Sequence, residues 1–259
     1  QVTHYVPELA GTAYADATVR QVMDMTIGVK YSEVYADPKA DIWAYAWAGG
    51  TRARPPDYTG PTTFYDYLVT LKKEGEHGAG FTYKTINTEV LAWVVKRVAG
   101  LRLADLTSQQ IWAKLGCEHD ALYQVDSVGT ESGGGGLSTT LRDLARFGEA
   151  MRCDGSFNGQ QVVPASVVDD IRRGASRDQF ATAGYATLPG WSYRNMWWVT
   201  HDAHHCFTAR GIHGQLIWID PLAEMVIARY ASHPMAANVY LDPTSLPAYR
   251  ALAEHLLRG

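Results

Sequence analysis

The sequence predicts an α+β fold: a mostly helical lobe over residues 10–190, then strands and a closing helix over 191–259, within a single domain spanning 1–259. Three observations carry this expectation. Val90, Leu91, Val94, Val95 and Val98 recur at helical period, between Asn87 as a candidate N-cap and Gly100 as a C′ residue. Further helical stretches flank this one on both sides. After Gly190 the pattern changes to short β-branched and aromatic runs broken by a turn at Asp220-Pro221.

In chain order, residues 18–25 form a short amphipathic helix with Val19, Val22 and Met23 on one side. From 26 to 61 helical periodicity is lost among Pro38, Pro55, Pro56, Pro61 and the rings of Tyr31, Tyr35, Trp43, Tyr45, Trp47 and Tyr58. A connection of that length is either a functional loop or a loop pinned by its own aromatics. A helix resumes over 63–73, and Gly75, Gly78 and Gly80 lead to Tyr83, with Thr85 and Asn87 at steps of two. A tyrosine at such a loop-to-helix junction can present its phenol to a cleft, or pack its ring half-buried and bond its hydroxyl.

Residues 103–115 form a helix stopped by Gly116, and the glycine run 133–136 either lets backbone approach a neighbour closely or turns sharply. Residues 138–151 form a helix with Thr140 and Asp143 at capping-box spacing, and 164–173 one with proline in its first turn. Strands follow at 196–199, 211–219 and 225–230, then a helix over 246–257. Three strands make a thin sheet, on which Leu216, Ile217, Trp218, Val226 and Ile227 are expected to be poorly covered.

Composition narrows the function. A net charge of −4 with no basic run points away from nucleic acid and membranes, and no apolar stretch approaches a membrane span. Three scattered cysteines argue against a disulfide framework and favour the cytoplasm. Eight tryptophans and fifteen tyrosines supply rings of the kind that line apolar clefts. The chain opens on Gln1-Val2-Thr3-His4-Tyr5, without Met, and reads as the interior of a longer protein.

Several catalytic patterns are absent. There is no Gly-x-Ser-x-Gly, no His-Glu-x-x-His and no Ser-x-x-Lys; Thr70-Leu71-Lys72-Lys73 fits the last only if threonine replaces serine. The run His201-Asp202-Ala203-His204-His205-Cys206 has the composition of a metal site but no second ligand pair at the usual spacing. It is read as a polar loop, and neither metal nor cofactor is expected.

What remains is Tyr83 with Thr85 and Asn87, the glycine run before Leu137-Ser138-Thr139, and Arg210-Gly211-Ile212-His213-Gly214-Gln215. With Tyr5-Val6-Pro7-Glu8-Leu9-Ala10-Gly11, Thr88-Glu89-Val90-Leu91-Ala92-Trp93, Ile111-Trp112-Ala113-Lys114-Leu115, Arg142-Asp143-Leu144-Ala145-Arg146 and Trp197-Trp198, these segments resemble one family, in order, over nearly the whole chain. It is the penicillin-binding-protein and class C β-lactamase superfamily of serine hydrolases, in its 6-aminohexanoate-dimer hydrolase branch. The resemblance implies a β-lactamase/transpeptidase-like fold and an acyl-enzyme mechanism in which a Ser-x-x-Lys serine attacks and a tyrosine handles protons.

Carried over residue by residue, Tyr83 falls at the tyrosine position and Thr85 at the polar position after it, with Asn87 beside them as a further substrate-binding candidate. The third motif falls either on Ala209-Arg210-Gly211 or on His213-Gly214-Gln215; in the first alignment Gly211 lets substrate lie along the strand and Ile212 offers its N–H to the oxyanion. Tyr35, Trp47, Gly134 and Trp198 fall where the resemblance places the cleft lining. In the family the Ser-x-x-Lys helix precedes the segment that resembles 5–9, so the nucleophile is expected outside this sequence and this chain alone is expected to be inactive. The implied activity is cleavage of short linear amides, with carboxylesterase, β-lactamase or DD-peptidase activity as alternatives. A catalytically inactive ligand-binding domain is the reading from another class. The implied partner is a small-molecule amide or ester, and a homodimer is compatible with the resemblance.

Overall fold

A computed structural model describes residues 1–259, which divide into two compact units. The first comprises Gln1–Thr107 and Ala121–Ser138, the second Ser108–Asp120 and Thr139–Gly259. The boundaries of these units fall at 107, 120 and 138.

The first unit is helical. After 3₁₀ turns at Val2–His4 and Pro7–Gly11 come α1 (Val19–Met23), α2 (Asp41–Ala48), α3 (Phe64–Leu68), α4 (Ile86–Ala99) and α5 (Leu103–Thr107). The two-residue strands β1 (Leu122–Tyr123) and β2 (Leu137–Ser138) pair antiparallel. Thr18 caps α1 in a capping box with Gln21, and Thr63 caps α3 through the Asp66 N–H. Asp126, 6% exposed, accepts the Phe64 N–H at 3.0 Å on one oxygen and the Val128 and Thr130 N–H groups on the other. Segment 121–138 is fastened to α3 in this way.

The structure corrects three details of this unit. Segment 26–61 contains α2, whose Ile-Trp-Ala-Tyr-Ala-Trp-Ala sequence is apolar on most sides and so shows little amphipathic period. On α4 the buried residues are Ile86, Asn87, Glu89, Val90, Ala92, Trp93 and Val94, while Val95 and Val98 are exposed, so the core-facing stripe is rotated toward Trp93. The α4 N-cap is Thr85, not Asn87, whereas Gly100 does end the helix in the left-handed conformation.

The second unit is a sheet between helices. In chain order it contains α6 (Ala113–Leu115), α7 (Leu141–Arg152), β3 (Ser156–Phe157), β4 (Gln160–Gln161), α8 (Ala165–Arg173) and α9 (Arg177–Ala181). Strands β5 (Ser192–Arg194), β6 (Trp197–Val199), β7 (Phe207–Arg210), β8 (Leu216–Asp220) and β9 (Met225–Arg229) follow, then α10 (Asp242–Leu256). The five strands form an antiparallel sheet in the order β5-β6-β7-β8-β9.

The alternation of side chains assigns the two faces of that sheet. Trp197, Val199, Phe207, Ile217 and Ile219 pack with Met151 of α7 and Val168 and Ile171 of α8. Trp218 on the opposite face meets Tyr249 of α10 at 5.4 Å between ring centroids. Gly148 permits α7 to lie close: a Cβ there would stand 2.6 Å from Val226 Cγ1 and 3.0 Å from Ile217 Cγ2.

Three strands were expected and five are present. Strand 211–219 does not exist as such, because β7 ends at Arg210 and a 3₁₀ turn, Ile212–Gly214, separates it from β8. Leu216, Ile217 and Trp218 are buried, since α7 and α10 cover the two faces; Val226 and Ile227 on the edge strand are half-buried.

Candidate active site

In the first unit, Tyr83 lies on the irregular stretch that feeds α4. That stretch is anchored by Gly78 N–H to the Thr26 carbonyl at 2.7 Å, by Thr82 N–H to the Met25 carbonyl at 2.9 Å, and by buried Phe81. Tyr83 itself is half-buried. Lys84 donates its ammonium to the Val29 carbonyl, and the Thr85 N–H is received by the carboxylate of Glu33. Thr85 makes no side-chain cap of its own, so Glu33 supplies an acceptor at the N-terminus of α4, where negative charge is favoured.

Burial pushes the Glu33 carboxyl above its ordinary value, against the Thr85 N–H and hydroxyl, which favour the carboxylate. Burial likewise lowers Lys84, against the raising influence of Glu74, Glu33 and Asp41. Neither residue was singled out in the sequence. Adjacency to Tyr83 was a signal for Lys84, but Glu33 has none, because fifty-two positions separate it from Thr85.

Asn87 is not at the site. It is fully buried, accepting the Tyr14 hydroxyl at 2.8 Å and directing its amide toward Met25 Sδ at 3.2 Å, so both polar ends are committed to the core. The residue that organises this turn of α4 is Glu89, 1% exposed. Its Oε1 accepts the Tyr45 hydroxyl at 2.6 Å, the Ser132 hydroxyl at 2.7 Å and the Gly134 N–H at 3.0 Å, and its Oε2 accepts the Gly133 N–H at 2.9 Å.

The glycine run is thus a close approach to α4. A Cβ at Gly133 would stand 2.6 Å from Ala92 Cβ, and one at Gly134 would stand 2.8 Å from Thr85 Cγ2 and 3.0 Å from the Tyr45 hydroxyl. The structure therefore brings Gly134 beside Thr85.

Tyr35 and Trp47 are half-buried. Tyr35 stands edge-on to Trp43 at 6.1 Å, and Trp47 edge-on to Tyr58 at 5.4 Å. Burial, then the Glu33 charge, pushes the Tyr35 phenol up to about 12, so it is a hydrogen-bonding group rather than a base at neutral pH.

In the second unit, Gly211 follows β7 in extended conformation and Ile212 opens the 3₁₀ turn, 44% exposed, where the first N–H groups of a helical turn lack partners within it. His213 is left-handed (φ 58°), and its Nδ1 lies 2.7 Å from the His233 carbonyl, to which it can only donate. The His213 N–H is also bonded to the Ala236 carbonyl, which makes the residue a clasp on loop 231–237.

Trp198 is buried among Phe180, Tyr185 and Tyr193, with the Arg210 guanidinium 5.4 Å from its ring. This corrects its expected place in a cleft lining. Arg210 turns onto the same face and pairs with Asp242 of α10 at 2.5 Å.

A family model, Beta-lactamase, matches residues 1–238, and the chain belongs to this family. Its fold is β-lactamase/transpeptidase-like, as the resemblance implied. The 6-aminohexanoate-dimer hydrolase of Paenarthrobacter ureafaciens is 40% identical over 234 residues, which are 90% of this chain and 59% of that protein. The chain therefore spans less than two thirds of the length of this relative. Among solved structures, a Bacillus anthracis protein assigned by name to the 6-aminohexanoate-dimer hydrolases superposes with a TM-score of 0.89 at 32% identity, covering 99% of this chain and 66% of that one. A penicillin-binding protein homolog from Caulobacter crescentus shares the fold, with a TM-score of 0.63 at 15% identity over 90% of this chain and 70% of that one. No helix of this chain is long and apolar enough to cross a membrane.

Proposed function

We propose that this chain is part of a serine hydrolase that cleaves the amide bond of short linear amides resembling 6-aminohexanoate oligomers, through an acyl-enzyme. The observation that carries the reading is the 40% identity to a 6-aminohexanoate-dimer hydrolase over 90% of the chain; the reading assigns Tyr83 to the family's tyrosine position. No Ser-x-x-Lys occurs in these 259 residues, so the serine and its lysine come from sequence outside them. The serine hydroxyl attacks the amide carbonyl, and Tyr83 takes its proton and passes it to the leaving amine. A phenol has an ordinary pKa near 10, so this role needs a cation beside it, supplied in the family by the lysine. The Ile212 N–H serves as one oxyanion donor, and water then releases the acyl group. The substrate is a small molecule met in the cytoplasm.

The test uses the longer protein carrying the Ser-x-x-Lys segment. Tyr83→Phe is expected to lower turnover of the 6-aminohexanoate dimer by about 10²-fold or more. Near-normal turnover refutes the assignment of Tyr83. Parallel assays with a p-nitrophenyl ester and a cephalosporin separate amidase from esterase and β-lactamase activity.

A further inference from the structure

The loop between β6 and β7 carries the run His201-Asp202-Ala203-His204-His205-Cys206, which in sequence lacks a further ligand. The fold supplies it. Phe207 of β7 pairs with Ile219 of β8, so one step further along both strands Cys206 lies across from Asp220. The ligand atoms of His204, Cys206 and Asp220 all lie within 4.8 Å of one another. Around a tetrahedral zinc ion, nitrogen, oxygen and sulfur ligands stand about 3.3–3.8 Å apart, so small side-chain rotations close the set.

We propose that His204, Cys206 and Asp220 form a Zn²⁺ site with three protein ligands, unconnected with the amide chemistry proposed above. The donor set of imidazole, thiolate and carboxylate suits a borderline-soft ion rather than Mg²⁺ or Ca²⁺. The charge balance favours a cation: Asp202 and Asp220 both lie against the Cys206 thiol, and neither is ion-paired with a lysine or arginine. Much of the framework is already ordered, since Asp202 accepts the His204 and Cys206 N–H groups at 3.1 Å each and Asp220 accepts the Ala223 N–H at 2.9 Å. All three ligands line a cavity of about 810 Å³ beside α10, so the fourth coordination position is open to water.

Binding balances as follows. His204 Nδ1 and Asp220 Oδ2, now 2.7 Å apart, share a proton. Zinc takes the place of that proton and of the Cys206 thiol proton, and the displaced protons pass to the free Nε2 or to solvent.

The test is titration of the metal-free chain with Co²⁺, then displacement by Zn²⁺. One equivalent of Co²⁺ is expected to produce a near-ultraviolet thiolate-to-metal charge-transfer band that Zn²⁺ abolishes. Cys206→Ser and His204→Ala should each remove the band, and Cys117→Ser/Cys153→Ser should leave it intact. His204 is partly exposed, so its variant does not depend on refilling a core position. Absence of the band at saturating Co²⁺, or its persistence in His204→Ala or Cys206→Ser, overturns the proposal.

Discussion

Replacing Glu89 by Gln tests whether the glycine run exists to wrap a buried carboxylate. In Glu89→Gln the amide oxygen can remain at the Oε1 position, keeping Tyr45, Ser132 and Gly134, but the amide nitrogen then faces the Gly133 N–H. One buried donor is left facing another donor, at about 1–3 kcal/mol. The three surviving bonds fall from charge-assisted to neutral, at about 1 kcal/mol each. Against this, the variant no longer buries a charge, which returns a few kcal/mol. The net expectation is a loss of about 2–4 kcal/mol, a large part of a typical domain's stability. Urea denaturation followed by tryptophan fluorescence should show a lower midpoint. Amide hydrogen exchange gives the local reading: the Gly133 amide should be protected in the wild type and exchange much faster in the variant, while amides near Trp218 are unchanged. Equal midpoints within about 0.5 kcal/mol, together with an equally protected Gly133 amide, would refute the account.

Two further expectations concern buried carboxylates of the second unit. Asp143 is fully buried; burial alone would raise its carboxyl, but the Glu118 N–H, the Thr140 hydroxyl, Arg146 and the His119 N–H outweigh this and hold it below the usual range. A depressed folded value means that its stabilisation is present above the unfolded value and is lost as pH falls through the folded one. Asp143→Asn should therefore cost about 3 kcal/mol at pH 7 and flatten the acid limb of the stability curve below about pH 4, measured by thermal melts across pH. Asp242 accepts from Arg210 at 2.5 Å and from the Thr187 hydroxyl at 2.6 Å; Asp242→Asn strands a buried guanidinium and should cost about 3–5 kcal/mol, seen in the denaturation midpoint, with faster amide exchange in α10.

Signals confined to a few neighbouring residues were legible in the sequence. Thr140 caps the helix that follows it, Gly100 ends α4, and the switch to strands after Gly190 is real. What failed depended on tertiary context. The apolar α2 has little periodicity to detect, and two strands escaped notice because β5 has only three residues and β7 runs into a glycine. Tyr83, Thr85 and the glycine run are singled out in the sequence by local pattern and family resemblance. The contacts that fix them are not, because Glu33 reaches Thr85 across 52 positions and Glu89 reaches Gly134 across 45. Asn87 and Trp198 misled for the complementary reason: a polar residue near a motif and an aromatic near a strand end look like cleft residues until their burial is known.

The placement of the two proposed catalytic groups follows one physical rule. A group that must meet a developing charge to within a fraction of an ångström belongs at the end of a rigid element. Tyr83 precedes the first turn of α4, which is held by Glu33 on Thr85, by Tyr14 on Asn87 and by the Glu89 network in the same turn. Ile212 follows β7, whose last residue, Arg210, is fixed by Asp242 and whose next residue, Gly211, donates to the Gln215 carbonyl at 2.9 Å. In both places buried polar networks stand where an apolar core would cost less. Their value is in restricting position: if Tyr83 and Ile212 act as proposed, a loosened Glu89 or Asp242 should lower turnover through the order it removes.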